Sequence, residues 1–418
     1  MVYYVNFVNV NMYESNILYK VSLMLIILMG TKAGLFLVLS FLHYKKRFKK
    51  DITNIRYNPK VSLIVPCCNE ERVLHNTIES LLDQDYENLE IIIVDDGSKD
   101  KTFDIARIFA KKYKHRIISL TKPNGGKASA LNHGLLRAGG EIIICIDADS
   151  VFVKDTVTNL VKPFREKIIV AVAGNVKVAN RKKLLNKHQA IEYITGLNLH
   201  RRTFAMLGCP QVISGAIGAF RRDKLIEVGG YSTDTVVEDM DVTITLLKNK
   251  GNVEYCSEAV AYTEAPETLS DFIKQRHRWI LGGFQVLKKH KDMLFNPKYK
   301  SIGLVGLPYF LISTWIDVLI SIIFLIYLVR AIFFMDPTEL IYYYVTFSIF
   351  QLFLIFYVIS IDKEDIKLSI YGLVEGFWYN HLISVIAIKA GINFIKRVTV
   401  SFNDETRAVR LGKNIIPA

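Results

Sequence analysis

Short apolar runs alternate with amphipathic segments over residues 61–137, and this alternation predicts strands that are each followed by a helix. The strand candidates are residues 61–65, 89–94 and 116–120, and the helix candidates end near residues 82, 113 and 137. Strands and helices that alternate at this spacing build a mostly parallel, doubly wound α/β sheet. Asn69, which follows the first strand, is expected to cap the helix after it.

A fourth apolar run, residues 141–146, ends in Asp147 and Asp149. An uninterrupted isoleucine-rich run is typical of a strand buried on both faces. Ionised carboxylates cannot lie inside such a sheet without partners, so they mark its carboxyl edge, where open α/β sheets bind ligands. Asp95 and Asp96 leave the 89–94 strand in the same way. One crevice is therefore expected to collect all four carboxylates.

Asp147 and Asp149 are separated by a single residue. Two hard oxygen ligands at this spacing suit Mg²⁺ or Mn²⁺, which also hold substrate phosphates. An isolated pair of this kind is more often a solvated exit from a strand, so the metal hypothesis depends on the rest of the chain.

Gly125-Gly126-Lys127 invites comparison with a Walker A loop, which the neighbouring residues exclude. Thr121 occupies the position of the first glycine of that motif, and Ala128 follows the lysine. A lysine at the start of a helix is nevertheless well placed to contact a diphosphate, because the helix N-terminus favours anions.

Residues 168–174 and 211–220 continue the apolar pattern, and the second run is rich in glycine. Glycine within a strand pattern indicates close approach of backbone or ligand. Glu238 and Asp239 then precede a helix predicted over residues 242–248. They are either first-turn acids that complement the helix dipole or functional carboxylates, and the local pattern leaves both readings open.

Gln275, Arg276, Arg278 and Trp279 lie in a helix predicted before the last apolar region. Gln275, Arg278 and Trp279 share one face of that helix. An arginine can bind phosphate in a bidentate manner, and an indole can stack on a sugar ring. The alternative is a basic amphipathic helix that lies on lipid headgroups.

Long apolar segments flank this region. Residues 17–43 are long enough to span a bilayer and lack a small-residue cleavage site, which indicates an anchor rather than a signal peptide. Three further apolar segments cover residues 302–335, 340–361 and 368–390. The basic run 45–50 and the basic tail after Ala390 both predict a cytoplasmic location. An even number of C-terminal crossings is then required. Either one of the three segments lies at the membrane interface, or the segment 302–335 forms two separate helices.

Composition agrees with a membrane protein, since 51% of the 418 residues are hydrophobic and the mean hydropathy is +0.24. The net charge of +13 does not predict a nucleic-acid partner, because the basic residues beyond the membrane flank are scattered. The five cysteines show no C-x-x-C spacing and lie between the membrane segments. We therefore expect reduced thiols in a cytosolic domain, and no zinc site.

Together these motifs resemble the processive family-2 glycosyltransferases, and above all the poly-β-1,6-N-acetylglucosamine, chitin-oligomer and hyaluronan synthases. The motifs are Asp95-Asp96-Gly97-Ser98, Asp147-x-Asp149, Glu238-Asp239 and Gln275-Arg276-x-Arg278-Trp279, in this order. The resemblance covers about residues 58–285. It implies an α/β GT-A fold flanked by transmembrane helices. The implied divisions are a membrane anchor with a basic flank (1–50), a cytoplasmic glycosyltransferase domain (51–290), and transmembrane or interfacial helices with a basic tail (291–418).

The resemblance also implies roles for single residues. Asp239 is the implied general base, and Asp147 and Asp149 are the implied ligands of Mg²⁺ or Mn²⁺. The residues implied to bind the nucleotide-sugar are Pro66, Asn69, Glu70, Asp95, Asp96, Lys127 and Asp147. Those implied for the acceptor and the diphosphate are Glu238, Gln275, Arg276, Arg278 and Trp279. Cys68 stands where this family often has an aromatic residue.

The implied activity is transfer of a sugar, N-acetylglucosamine in the first instance, from a UDP-sugar to a growing β-linked polysaccharide. One base and a metal-held leaving group suit direct displacement, which inverts the anomeric centre. The implied location is the cell membrane, with several crossings and a cytoplasmic catalytic domain. The implied partners are a UDP-sugar donor, a glycan acceptor and the lipid bilayer, and an accessory membrane subunit stays an open alternative.

Two other functions compete with this one. A non-processive glycosyltransferase that acts on a lipid-linked acceptor would share the first two carboxylate motifs but usually lacks the cluster around Trp279. A transporter or membrane scaffold with a degenerate nucleotide-binding domain would have no physical need for Asp149, Asp239 and Trp279 together.

Overall fold

The computed structural model describes residues 2–50, 57–333 and 337–397, which contain one eight-stranded sheet and a series of helices. The strands are β1 (Val61–Cys67), β2 (Leu89–Asp95), β3 (Ile117–Thr121), β4 (Ile142–Cys145), β5 (Ser150–Phe152), β6 (Ile169–Val178), β7 (Gly218–Arg221) and β8 (Asn252–Thr263). The α-helices are α1 (Val2–Lys50), α2 (Leu74–Leu82), α3 (Thr102–Lys112), α4 (Lys127–Arg137), α5 (Thr156–Val161), α6 (Leu184–Glu192), α7 (Leu199–Met206), α8 (Arg222–Glu227), α9 (Glu238–Lys248), α10 (Leu269–Lys289), α11 (Leu307–Phe333), α12 (Thr338–Asp362) and α13 (Ser369–Ile395).

The sheet has the strand order β3-β2-β1-β4-β7-β6-β8-β5. Strands β3, β2, β1 and β4 are parallel, as the alternation of strands and helices predicts. Strand β7 is antiparallel to both β4 and β6, and β6 is parallel to β8. The doubly wound parallel half is therefore confirmed, whereas the half beyond β4 is mixed. The isoleucine-rich strands β2 and β4 are almost completely buried, as their uninterrupted apolar runs predict.

The glycine-rich run 211–220 is a strand only at its end, where β7 begins at Gly218. The residues before Gly218 cross the carboxyl edge of the sheet as irregular backbone. The close approach that the glycine pattern predicts occurs on the neighbouring strand as well. A Cβ atom at Gly174 would lie 2.4 Å from Cδ1 of Ile217, so this position of β6 has no room for a side chain.

The prediction that Asn69 caps the first helix is wrong. Helix α2 begins at Leu74, and Asn69 lies in the preceding loop with φ 56°, a left-handed conformation that asparagine tolerates. Its Oδ1 accepts a hydrogen bond from Lys99 N (2.9 Å), and its own N–H donates to Ser98 Oγ (2.9 Å). Asn69 therefore joins the loops after β1 and β2, where a local pattern cannot foresee its partners.

Residues 184–206 form α6, a π-helical turn (Tyr193–Asn198) and α7, for which the hydropathy pattern predicts nothing. The reason is that many of the buried side chains here are polar. They include Asn186, His188, Gln189, Asn198, Arg201 and Arg202. Burial of polar side chains depends on partners distant in sequence, which periodicity does not detect.

Three helical segments are long and apolar enough to cross a membrane: Lys20–Lys46, Ile302–Phe333 and Leu340–Asp362. Among the described helices, α13 does not meet this criterion, although it contains the apolar segment 368–390. Instead it packs along α10, and Asn393 lies 3.0 Å from Nε2 of His277. The basic tail beyond residue 397 lies outside the described residues.

Buried ion pairs hold the turn between α12 and α13 against the sheet. Nη2 of Arg202 lies 2.5 Å from Oδ1 of Asp362, and both side chains are almost completely buried. Glu364 accepts from Arg181 (2.6 and 3.1 Å) and from Lys177 (3.1 Å). Burial alone would raise the pKa of Glu364, but Arg181 and Lys177 hold it below its usual value. These contacts connect β6 and α7 to the end of α12.

We expect Asp362→Ala to destabilise the protein strongly, because it leaves the guanidinium of Arg202 buried without its carboxylate. Removal of one partner of a buried ion pair costs about 3–5 kcal/mol. The measurement is thermal unfolding of the purified protein in detergent. Glu227→Ala, which removes a solvent-exposed pair with Lys224, is the matched control and should leave the midpoint unchanged. An equal midpoint for both variants would contradict the prediction.

Candidate active site

The loops that follow β1, β2 and β4 leave the sheet at the same edge. Cys67 at the end of β1 lies in register with Asp95 at the end of β2, and β4 runs parallel to β1 on its other side. The N–H of Asp96 donates to the carbonyl of Cys67 (2.8 Å), which keeps two of these loops together. The structure thus places Asp95, Asp96, Asp147 and Asp149 at one carboxyl edge.

Asp96 organises the loop that leads into α4. Its Oδ1 accepts from Gly125 N (3.0 Å) and Lys122 Nζ (2.5 Å), and its Oδ2 accepts from Gly126 N (2.7 Å). Gly126 has φ 83°, a conformation that favours glycine. The carboxylate therefore fixes the backbone immediately before Lys127.

The residues assigned to the nucleotide pocket lie at the ends of β1 and β2 and in the loops that follow these strands. Asp95 is buried and accepts from Ser98 N (3.3 Å) and Thr121 Oγ1 (2.8 Å). Pro66 lies in β1, and Glu70 N donates to Thr102 Oγ1 (2.7 Å).

Cys68, at the position of the expected aromatic residue, faces Asn124 Nδ2 at 3.5 Å. Burial and then the charges of Asp96 and Asp95 raise the pKa of the Cys68 thiol, so it stays protonated near neutral pH. A neutral, partly buried thiol can contact a ring but offers much less stacking area than an aromatic side chain.

Lys127, the first residue of α4, joins the two groups of carboxylates. Its Nζ lies 2.6 Å from Oδ1 of Asp147 and 3.1 Å from Oε1 of Glu238. Burial would lower the pKa of Lys127, but Asp147, Glu238 and Asp239 outweigh it and raise the pKa above its usual value. The ammonium group is therefore permanently charged.

Asp239 lies in the first turn of α9, which begins at Glu238 and not at residue 242 as predicted. Its Oδ2 accepts from Gly215 N (3.1 Å), and its Oδ1 accepts from Met240 N (2.8 Å). Burial, and then the neighbouring charge of Glu238, raise the pKa of Asp239, while Lys127 and the two backbone donors act in the opposite direction. A carboxylate with a raised pKa is a better proton acceptor than an ordinary aspartate.

Asp147 and Asp149 fit the requirements of a divalent cation that is shared with a bound phosphate. Asp147 is partly exposed, and Oδ1 of Asp149 lies 3.3 Å from both Thr263 Oγ1 and Ser150 Oγ. Within the described residues, no group of three or more His, Cys, Asp or Glu side chains could hold a metal ion by itself. Two carboxylates at the edge of a crevice agree with Mg²⁺ or Mn²⁺, which take part of their ligands from substrate phosphates.

Helix α10 carries the cluster of glutamine, arginines and tryptophan. Arg276 is almost fully buried, and its guanidinium binds Glu192 in a bidentate manner, with Nη2 at 2.7 Å and Nε at 3.0 Å. Its Nη1 also donates to Gln275. Nη1 of Arg278 donates to the carbonyl of Val236 (3.3 Å), just before the turn that carries Asp239. The structure therefore brings Arg278 to the loop before Asp239, whereas Arg276 is directed towards Glu192.

Comparison with known proteins agrees with this geometry. Residues 62–229 match the model of glycosyl transferase family 2. A poly-β-1,6-N-acetyl-D-glucosamine synthase of Staphylococcus epidermidis is 32% identical over 334 residues, which cover 78% of this chain and 80% of that protein. The synthase of Staphylococcus aureus (strain COL) is 30% identical over 285 residues, or 68% of each chain. The chain belongs to glycosyltransferase family 2.

The fold of this family-2 glycosyltransferase also matches a solved structure. A mannosyltransferase from Pyrobaculum calidifontis in complex with GDP-Man and Mn²⁺ superposes with a TM-score of 0.61 over 86% of this chain and 99% of that one, at 21% identity. The predicted α/β GT-A fold is thereby confirmed.

Several residues of the crevice are not foreseen by the motifs. Gly215 supplies a backbone donor to Asp239, and the density of glycine around it was the only signal. Glu192 has no sequence signal at all, because its partners are distant. It binds Arg276 of α10 and accepts from the hydroxyl of Tyr379 in α13. Glu192 thus connects the glycosyltransferase crevice to the last helix.

We expect Asp96→Ala to loosen the loop before α4, because three donors lose their acceptor. Hydrogen–deuterium exchange of a peptide that covers residues 122–130 should become faster, with the largest change at the amides of Gly125 and Gly126. Asp104→Ala, which removes an exposed pair with Arg107, is the matched control and should not alter this peptide. Unchanged exchange in Asp96→Ala would contradict the assigned role.

Proposed function

We propose that this polysaccharide-synthesising glycosyltransferase transfers N-acetylglucosamine from a UDP-sugar to a growing β-linked glycan, with inversion at the anomeric carbon. The position of Lys127 carries the proposal. This buried cation contacts Asp147 on the side assigned to the metal and Glu238 beside the assigned base. The donor sugar would then lie between the diphosphate and Asp239, as a direct displacement requires. The names of the similar synthases support the choice of sugar.

In this mechanism Asp239 accepts the proton of the acceptor hydroxyl as that oxygen attacks the anomeric carbon. The N–H groups of Gly215 and Met240 hold the carboxylate in place. Its raised pKa matches a base that must take a proton at neutral pH. Glu238 is paired with Lys127, so Asp239 is the carboxylate that acts as the base. The mechanism needs no second carboxylate as a nucleophile.

The departing UDP is stabilised on the opposite side. Lys127 would contact the diphosphate from the start of α4, where the helix dipole also favours an anion. A divalent cation held by Asp147 and Asp149 would neutralise the negative charge that develops on the leaving group. Asp95, Asp96, Asn69, Glu70 and Pro66 would form the walls of the uridine pocket.

On the acceptor side we propose contacts from Gln275, Arg278 and Trp279. We propose that Arg276 positions α10 through Glu192, because its guanidinium is buried and already paired. Its cation lies 4.2 Å from the centre of the Trp279 ring, which orients the indole. A tryptophan held in this way can stack on the apolar face of the acceptor sugar.

We further propose a cell-membrane location with the catalytic domain in the cytoplasm. One crossing in α1 and two in α11 and α12 would return the chain to the side of the catalytic domain. With α13 on the interface, the basic tail would also be cytoplasmic, as the positive-inside rule requires. An accessory membrane subunit is compatible with this arrangement.

We expect Asp239→Asn to abolish polymer synthesis while leaving UDP binding intact. Loss of a general base costs about 10²–10⁴-fold in rate. The measurement is UDP release and product length for the detergent-purified protein with UDP-N-acetylglucosamine and Mg²⁺ or Mn²⁺. Asp234→Asn, at an exposed site, is the control. Addition of a single sugar to a lipid by the wild type would instead indicate a non-processive enzyme.

The same assay should lose activity when EDTA removes the divalent cation, and added Mn²⁺ should restore it. Activity that persists in EDTA would contradict the metal assignment of Asp147 and Asp149. Turnover of other UDP-sugars but not of UDP-N-acetylglucosamine would contradict the proposed donor.

The pH dependence should report the contact between Lys127 and the base. Asp239 must be ionised to act, so activity falls as pH drops through its pKa. Because the charge of Lys127 lowers that pKa, Lys127→Met should raise it and move the acidic limb of the pH–rate profile to higher pH. Lys127→Arg keeps the charge and should keep the limb close to that of the wild type. An unshifted limb in Lys127→Met would contradict the assignment of Asp239 as the base.

A further inference from the structure

The wall of the crevice next to Trp279 contains a π-helical turn (Tyr193–Asn198) between α6 and α7. π-helical turns are rare and are frequent at functional sites, because they widen the helix and re-aim the side chains that follow. No motif of the family-2 glycosyltransferases used above falls in this segment. Tyr193 in this turn and Arg201 in α7 nevertheless have the assigned carboxylates Asp149 and Asp239, respectively, among their electrostatic neighbours.

Arg201 is buried, with 6% of its surface exposed, and lacks a carboxylate partner among the described residues. The hydrogen bond that the structure shows for it joins Nη1 to Oδ1 of Asn198 at 3.5 Å, the limit for such a bond. Arg202 is different, since it pairs with Asp362 and its Nε and Nη1 are sealed in the interior. The nitrogen atoms of Arg201 are not sealed in this way. The carboxylate of Asp239 is close enough for its charge to act on them, so a ligand bound at Asp239 would lie near the guanidinium.

The charges around Arg201 locate it beside the base. Its electrostatic neighbours are Tyr255, Asp239 and Tyr193, and Asp239 is the one carboxylate among these three. Burial lowers the pKa of Arg201, and these neighbours offset that effect only in part. A desolvated guanidinium with one weak hydrogen bond gains stability when a ligand supplies oxygen acceptors.

Tyr193 extends the same wall towards Asp149. Its side chain is 5% exposed, and its electrostatic neighbours include Arg276, Glu192, Asp149 and Arg201. Its ring centre lies 6.4 Å from that of Trp279, the assigned stacking residue. The ring of Tyr193 therefore lies next to that of Trp279, and the charges of Asp149 and Arg201 both act on its hydroxyl group.

We propose that Arg201 and Tyr193 bind the terminal sugar of the acceptor glycan, with Arg201 donating hydrogen bonds to its hydroxyl and amide oxygens. This inference rests on the proposed function, because it takes Asp239 as the base. The attacking hydroxyl must touch Asp239, so the rest of that sugar must lie against the wall next to it. In the proposed mechanism the diphosphate of the donor is bound by Lys127, which leaves Arg201 to the acceptor.

The test separates binding of acceptor from binding of donor in the full-length protein in detergent. Initial rates are measured against the concentration of a short β-1,6-linked N-acetylglucosamine oligomer, and UDP affinity is measured by calorimetry. For Arg201→Gln we expect KM for the oligomer to rise by about tenfold or more, with the Kd for UDP unchanged within about twofold. Arg201→Lys should recover part of the loss, because it restores a donor and the charge. Tyr193→Phe should raise the same KM by a smaller factor.

Arg202→Lys is the matched control from the adjacent position in α7. It should lower the temperature of thermal unfolding without changing KM for the oligomer, because Arg202 faces Asp362 and not the crevice. If Arg201→Gln is too unstable to purify, the Arg201→Lys and Tyr193→Phe variants carry the test by the same two measurements.

Three results would overturn the inference. A large loss of UDP affinity in Arg201→Gln or Arg201→Lys would assign Arg201 to the diphosphate. Unchanged KM in Arg201→Lys and Tyr193→Phe would make the segment structural. Failure of the wild type to elongate the oligomer with UDP-N-acetylglucosamine, despite binding UDP, would overturn the proposed function, and the acceptor site would fall with it.

Discussion

The charge of Lys127 is the constraint on which the crevice depends. Three carboxylates, those of Asp147, Glu238 and Asp239, approach one another from a loop of the parallel sheet and from the start of α9. Carboxylates so close together would repel one another without a cation between them. Lys127 supplies that cation. Its position depends in turn on Asp96, which fixes the two glycines before it.

This arrangement explains how one site can contain acids with different tasks. Asp147 is the more exposed carboxylate and can take a cation or a phosphate-bound metal. Glu238 is neutralised by the lysine. Asp239 receives two backbone hydrogen bonds but makes no direct ion pair with any described residue, and burial raises its pKa. The three carboxylates differ in exposure, ion pairing and backbone hydrogen bonds, although their side chains are chemically nearly the same.

Two sets of buried contacts attach this crevice to the apolar helices. Glu192 joins Arg276 of α10 to Tyr379 of α13, and Asp362 joins Arg202 of α7 to the end of α12. Both attachments use charges in the interior, where an unpaired group is costly. The segment that contains Arg201 and the helix that contains Trp279 are therefore held by contacts with α12 and α13.

The sequence by itself determined the alternation of strands and helices, the carboxyl edge that collects Asp95, Asp96, Asp147 and Asp149, and the helices long enough to cross a membrane. These features depend on the local sequence. A buried strand needs a run of apolar residues, and an ionised carboxylate without a partner is too costly inside that run, so it follows the strand at the edge of the sheet. Only the tertiary structure decided that Asn69 bridges two loops instead of capping a helix, that Arg276 is buried against Glu192, and that Arg201 comes within reach of the charge of Asp239. Each of these depends on a partner distant along the chain, and the energy of a buried polar group is set by that partner and not by the neighbouring residues.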